Sequence, residues 1–443
     1  QRKNEQVHII EIIPGGPVWR DNLLKVGEII LKVAQKDEDP IEIGNMRLDD
    51  AVNLIKGPKG TKVYLTVKKV DGIIEEVEII RDVVELEESY AKSSLIIKDS
   101  NKYGLIELPQ FYIDFDDYSN RNAAIDVKKE INQLKEKDVQ GIIIDLRNNG
   151  GGSLKTVVDI TGYFIKDGPV VQVKSTGGRK EILRDNDSSI IWEGPLVILV
   201  NEFSASASEI LAAALQDYKR AIVLGSKQTF GKGTVQNMVD LNRIISGSTY
   251  GDLGAVKLTT DKFYRINGGS TQLEGVKSDV VILDRYSYID LGEKDQENPL
   301  SWDYIEPTTF DFWHYEIDYK SMLERSENRM KSSQYISLID EQAKWVKQQQ
   351  DEYDYTLNYN NLYQEKEFEK KKINKFKKLN EFESSLQFEW LPEPGKKLIN
   401  KEITLRRNRW IKSLKADFYI DEATNILEDL NSKNYNKLAQ LKK

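Results

Sequence analysis

Three short, uninterrupted apolar runs, Ile142-Ile-Ile144, Leu196-Val-Ile-Leu-Val200 and Ala221-Ile-Val-Leu224, constrain this chain more than any other feature. Runs of this length, closed by polar or glycine residues, read as buried strands. A charged amphipathic stretch from Asn120 to Lys137 precedes the first run, Leu154 to Ile165 reads as a helix, and Ser204 to Asp217 carries Ile210, Leu211 and Leu215 at helical spacing. Strands alternating with helices specify an α/β core. Further strands are expected at Tyr103 to Leu108, Val170 to Val173 and Val256 to Leu258, after a connector from Leu86 to Lys98.

Two of these runs lead into segments that carry chemistry. After the second comes Ser204-Ala-Ser-Ala-Ser-Glu-Ile210, a serine cluster opening a helix. Backbone N–H groups there lack partners inside the helix and suit a developing oxyanion. The same serines could simply cap the helix, with Glu209 completing a capping arrangement. After the third run, Lys232 stands between Gly231 and Gly233, which let backbone approach closely and leave the amine unshielded. A lysine kept from water and from carboxylates loses proton affinity and can serve as a general base. Hydroxyl nucleophile and amine base together suggest a serine hydrolase that works without histidine. Gln236, four residues beyond Lys232, can accept a hydrogen bond from the amine without adding charge. The run Asn149-Gly-Gly-Gly-Ser153 lacks the Gly-Lys-Ser/Thr ending of a phosphate loop, which argues against nucleotide binding.

Asp145-Leu-Arg-Asn-Asn-Gly-Gly-Gly152, Phe203-Ser-Ala-Ser-Ala-Ser-Glu-Ile210, Gln216-Asp217, Phe230-Gly-Lys-Gly-Thr-Val-Gln236 and Phe263-Tyr-Arg-Ile-Asn-Gly-Gly-Ser-Thr271, in this order, resemble the carboxyl-terminal processing, or tail-specific, protease family. The resemblance implies an α/β fold with a crotonase-like serine protease core, a truncated PDZ domain before it and a helical domain after it. The nucleophile then falls on Ser206, the base on Lys232 and the third member on Gln236, with Gly151, Gly152 and Ala207 around the oxyanion. Asp217 is expected to fix local structure at the far end of the serine helix. Two departures stand out. One extra residue lies in the turn Ser226-Lys-Gln228, and Ser278 replaces the proline usual before Asp279.

The resemblance places the PDZ domain at 1–85 without its opening strand, the Ser/Lys core at 86–290 and the helical domain at 291–443. In the first, Val7 to Ile13 reads as strand, Gly15-Gly-Pro17 as turn and Leu48 to Ile55 as a short helix. Such domains add a peptide as an extra strand. Val52 and Ile55 are its candidate peptide-binding residues, with core packing as the other reading. From about Asp318 onward Glu, Lys, Gln and Leu dominate and long helices are expected, broken near Pro392 and Pro394.

A net charge of −8 argues against nucleic acid as a partner. No apolar run approaches membrane-spanning length, which leaves peripheral membrane contact only. The absence of cysteine excludes a thiol nucleophile, disulfides and thiolate metal sites. The two histidines, His8 and His314, lie far from the serine motif, so neither a Ser-His-Asp triad nor a metal site is expected. No cofactor is implied. The expected function is a serine endopeptidase acting on unfolded or C-terminally exposed proteins in the periplasm, with room for an adaptor protein. Its alternatives are a PDZ-type binding or scaffold protein with an inactive core and a crotonase-type enzyme acting on thioesters.

Overall fold

The computed structural model describes residues 2–441 apart from 4, 5, 11, 13–15, 37, 83–88, 115, 116, 245–252, 314–318, 352–355 and 392–400. The expectations for His314, for Pro392 and Pro394 and for a domain boundary at 85/86 fall outside the described residues.

The N-terminal unit is a small antiparallel sheet with two short helices. Its elements are β1 (Arg2–Lys3), β2 (Gln6–His8), α1 (Pro17–Asp21), β3 (Ile29–Gln35), β4 (Ile41–Glu42), α2 (Leu48–Ile55), β5 (Lys62–Lys68) and β6 (Ile74–Ile80). The strands run β1-β2-β3-β5-β6, with β4 paired to β3. Period-two alternation in β5 turns Val63, Leu65 and Val67 into a core with Val33, Ile43 and Ala51. The strand expected from Val7 onward is shorter than read, closing at His8, although the Ile9 N–H still reaches the Glu28 carbonyl at 2.9 Å. Pro17, expected in a turn, instead starts α1, where its missing N–H costs nothing.

The central unit contains β7 (Lys92–Lys98), β8 (Asn101–Glu107), α3 (Ala123–Glu136), β9 (Ile142–Asp145), α4 (Leu154–Gly162), β10 (Gly168–Ser175), β11 (Lys180–Asp185), β12 (Leu196–Val200), α5 (Ala207–Asp217), β13 (Ile222–Gly225), β14 (Thr234–Asp240), α6 (Leu241–Ile244), β15 (Ala255–Tyr264) and β16 (Val280–Val281). Its main sheet runs β16-β13-β12-β9-β8-β7, parallel except for the β7–β8 hairpin. Every residue of β9, β12 and β13 is buried, which is why those strands read as continuous apolar runs. Helices α3, α4 and α5 cover one face. A second sheet, β11-β10-β15-β14, stands apart from the first. The connector expected from Leu86 to Lys98 thus ends in a strand, β7, whose polar ends concealed the apolar Leu95 and Ile96.

The C-terminal unit contains α7 (Tyr319–Ser332), α8 (Gln334–Asp351), α9 (Tyr359–Phe376), β17 (Gln387–Trp390), α10 (Lys401–Lys415) and α11 (Phe418–Leu441). Helix α11 lays Ile420, Ala423, Ile426 and Leu427 against the other face of the main sheet. Strand β17 pairs antiparallel with β7, so the helical unit supplies the seventh strand of that sheet. The N-terminal unit meets both others. Lys92 lies between the rings of Trp19 and Trp410, Arg409 pairs with Asp21 at 2.8 Å, and the Tyr286 hydroxyl donates to the Val26 carbonyl at 3.3 Å.

Candidate active site

Ser206 occupies the turn between β12 and α5. The serine cluster was expected to open a helix, and α5 begins at Ala207 with Ser206 at its N-cap, holding φ 57°, ψ −112°, outside the conformations L-residues favour. Such strain persists only where the surroundings over-determine it. Here they do so through the flanking serines. Ser204 Oγ donates to the Leu146 carbonyl at 2.8 Å and accepts the Asn201 N–H at 2.9 Å. Ser208 Oγ donates to the Asn149 carbonyl at 2.8 Å, and the Ala205 N–H reaches the same carbonyl at 3.0 Å. Both outer hydroxyls are committed to backbone, whereas Ser206 and Glu209 face each other in a capping box at the start of α5.

The glycine turn abuts this serine. A methyl group on Gly151 (φ +105°) would lie 2.7 Å from Ser206 Cβ and 3.0 Å from the Ala207 nitrogen, so only glycine fits. Gly151 was expected to donate to an oxyanion, but its N–H is taken by Asn149 Oδ1 at 2.9 Å. Asn149 is fully buried and also donates from Nδ2 to the Leu108 carbonyl at 2.8 Å, so its side chain clamps the turn. Gly152 backs onto Phe111, where a methyl would lie 2.3 Å from the carbonyl oxygen. Ala207 is the first residue of α5, where an N–H has no partner within the helix.

The lysine loop approaches from β13. Glu209, in the first turn of α5, is fully buried and collects four donors. They are the Ser206 N–H (2.8 Å) and Lys232 N–H (3.0 Å) on Oε2, and the Gly231 N–H (2.8 Å) and Thr229 Oγ1 (2.6 Å) on Oε1. A single carboxylate oxygen therefore joins the backbones of Ser206 and Lys232. Burial pushes the Glu209 carboxyl up to about 7, although its hydrogen bonds pull it back. Lys232 Nζ donates to Gln236 Oε1 at 3.3 Å, and Gln236 follows a register shift in the β14–β15 ladder, the kind of irregularity that re-aims a side chain. Burial holds the Lys232 amine below the usual lysine range; Lys257 pushes the same way, while Glu293 and Glu209 oppose it.

The remaining candidates fall outside this constellation. Asp217, at the end of α5, binds Arg265 with both oxygens (2.6 and 3.0 Å) and Asn267 (2.9 Å), tying the Phe263 to Thr271 segment to the helix. The two departures from the family pattern touch each other, because Ser278 Oγ donates to the Ser226 carbonyl at 2.6 Å. Val52 and Ile55 sit half-exposed on α2 of the N-terminal unit, Ile55 packing against its core. Asn149 was read only as part of the glycine run, and Gln272 and Glu293 were not singled out in the sequence. Gln272 directly follows the last quoted motif, and Glu293 belongs to no motif at all.

Three family profiles match the chain: Peptidase family S41 over residues 102–282, the C-terminal domain of tail specific protease over 286–432, and a PDZ domain over 1–68. The chain is similar to the tail-specific protease of Haemophilus influenzae, 38% identical over 311 residues, covering 70% of this chain and 43% of that protein. It is similar to the carboxy-terminal-processing protease of Bartonella bacilliformis, 32% identical over 287 residues, covering 63% of this chain and 59% of that protein. Among solved structures it is similar to a photosystem II D1 C-terminal processing protease, with a TM-score of 0.48 and 25% identity, covering 63% of this chain and 69% of that one. The chain spans about half the length of the curated relatives it matches.

Proposed function

Because this chain belongs to peptidase family S41 and carries the C-terminal domain of tail-specific proteases, we propose that it is a serine endopeptidase that cleaves proteins recognised through their C-terminal regions. The observation that supports it most is the joint hold of Glu209 Oε2 on the Ser206 and Lys232 backbones, with a depressed lysine amine turned to Gln236. In this reading the neutral Lys232 amine takes the Ser206 Oγ proton as Oγ adds to the peptide carbonyl. Ala207 N–H and Gly152 N–H receive the oxyanion, since the Gly151 N–H is already spent. As the tetrahedral intermediate collapses, the Lys232 ammonium gives its proton to the leaving amine and the acyl group stays on Ser206. Water then enters, losing a proton to Lys232, and the second collapse returns that proton to Ser206 and frees the acid.

The PDZ domain, which extends a sheet with a bound peptide, is the substrate-capturing element of this proposal, with Val52 and Ile55 lining its groove. Residues 1–85 then capture, 86–290 cleave, and 291–443 buttress the sheet and offer surface to an adaptor. The periplasm is the compartment proposed from the kinship with tail-specific proteases; among the described residues no helix is long and apolar enough to cross a membrane.

A fluorophosphonate probe tests the site. It should label the chain at Ser206, shown by peptide mapping, and the Ser206→Ala variant should neither label nor cleave an unfolded protein. Equal cleavage by parent and Ser206→Ala would remove the assignment. Binding of peptide without any labelling would favour the scaffold reading.

A further inference from the structure

The catalytic lysine loop is also gripped by a segment lying beyond the S41 match. Gln272 is fully buried and bridges the two. Its Oε1 accepts the Gly233 N–H at 2.8 Å, while Nε2 donates to the Leu300 carbonyl at 3.0 Å and to Glu293 Oε1 at 3.2 Å. Glu293 is itself tied to the loop, since its N–H donates to the Phe230 carbonyl at 2.9 Å. Its second oxygen accepts from Gln296 Nε2 at 3.2 Å. A methyl on Gly292 would stand 2.9 Å from the Phe230 oxygen, so the segment runs directly over the turn that presents Lys232.

We propose that Glu293, supplied by the C-terminal domain, is a positioning residue for Lys232: Gln272 joins its carboxylate to the Gly233 N–H next to Lys232, so the helical domain completes the environment in which the base works. Among the described residues Glu293 forms no ion pair within contact distance, and both its oxygens accept from neutral amides, Gln272 and Gln296. The charged groups acting on Lys232 are Lys257 from β15, Glu209 from α5 and Glu293 from the 3-10 turn at Glu293–Asp295, with Gln236 as a neutral acceptor. A carboxylate nearby favours the ammonium and works against burial, so Glu293 limits how far the amine is depressed. It thereby keeps a proton available for the leaving amine as well as a base for the serine. The inference rests on the reading of Lys232 as general base.

The test compares kcat/KM against pH for the parent, Glu293→Gln, Glu293→Asp and Lys257→Met, using one quenched peptide. Glu293→Gln should move the acid limb to lower pH by about half a unit, roughly a threefold gain in activity on that limb. Lys257→Met should move it the other way, and Glu293→Asp should restore most of the parental position. Selective 13C-methylation of lysines, with the Lys232 signal assigned by its loss in Lys232→Arg, reads the same shift without turnover. An unmoved Lys232 titration in folded Glu293→Gln would overturn the proposal, whatever happens to kcat. If the parent shows no Ser206-dependent cleavage while the Lys232 titration still shifts, the base assignment falls and the Glu293 coupling stands.

Discussion

Ser206 and Lys232 stand at the ends of very different strands. The serine follows β12, buried along its whole length between β9 and β13, and its turn is fixed by three hydrogen bonds to the carbonyls of Leu146 and Asn149. The lysine precedes β14, the outermost strand of the second sheet, where Gln236, Asn237 and Met238 are exposed and the amine has one 3.3 Å bond. The proposed nucleophile is thus set by backbone geometry and the proposed base by its electrostatic surroundings. On this contrast, substitutions around Ser206 should alter stability together with rate, and substitutions around Lys232 should alter chiefly the pH dependence.

The largest expected effect breaks the comparison at the serine itself. Ser206→Ala should lower kcat by on the order of 10⁴–10⁶ with an unchanged far-UV spectrum. Ser206→Gly should be as inactive but unfold later than Ser206→Ala, by about 1 kcal/mol in denaturant melts, because glycine tolerates φ 57°. Equal stability of the two would mean that the turn stores no strain.

Lys232→Arg comes next. It should lose about 10²–10⁴ in kcat, as much as Lys232→Ala, because guanidinium keeps its proton. In the parent, kcat/KM should rise with pH as the depressed amine deprotonates, on a limb below the ordinary lysine value of about 10.4. Near-parental turnover by arginine would dissolve the distinction between the two strands.

Glu209 belongs to both sides, so its removal should blur them. Burial raises its folded-state carboxyl to about 7 from an ordinary value near 4.5. A raised carboxyl favours the folded state at low pH, so its contribution is complete below about 4.5 and is lost as pH climbs to about 7. Glu209→Gln should flatten parental stability across that window, measured by denaturant titrations at several pH values, and should reduce turnover at every pH. An unchanged slope would show that the carboxyl titrates normally.

The smallest effects separate the outer serines from Gln236. Ser204→Ala and Ser208→Ala should each cost about 1 kcal/mol in stability through a lost buried hydrogen bond, Ser204→Ala also depriving the Asn201 N–H of its acceptor, with turnover within about tenfold of the parent. Gln236→Glu should leave the melting point nearly unchanged yet move the acid limb upward, since a carboxylate holds the lysine proton. A destabilised Gln236→Glu with an unmoved limb would reverse the contrast drawn above.

Much of this contrast is legible in the residues. The fully apolar β9, β12 and β13 announced the sheet, and the glycines around Lys232 announced an unshielded amine. What escaped is information carried by partners distant in sequence. The bond from the Gly151 N–H to Asn149 is local, but the bond from Asn149 to the Leu108 carbonyl that fixes that side chain spans 41 residues. The strand at β7 was hidden by a period-two pattern broken by serines, Ser94 being held by the Glu389 carbonyl at 3.0 Å. Glu293 belongs to no motif, and only tertiary contact with Gln272 gives it a place.

The pairing of β17 with β7 also bears on how the chain is made. Ser94 and Glu389 are 295 residues apart, so the outer edge of the main sheet has no partner until that intervening length has been made. At ordinary rates of synthesis the interval is roughly 15–60 s. Throughout it the nascent protein presents an open strand edge, the feature most prone to mispair with another chain. Completion of β17 is thus a late step of biogenesis, and a ribosome stalled before residue 387 would display a sheet lacking its last strand.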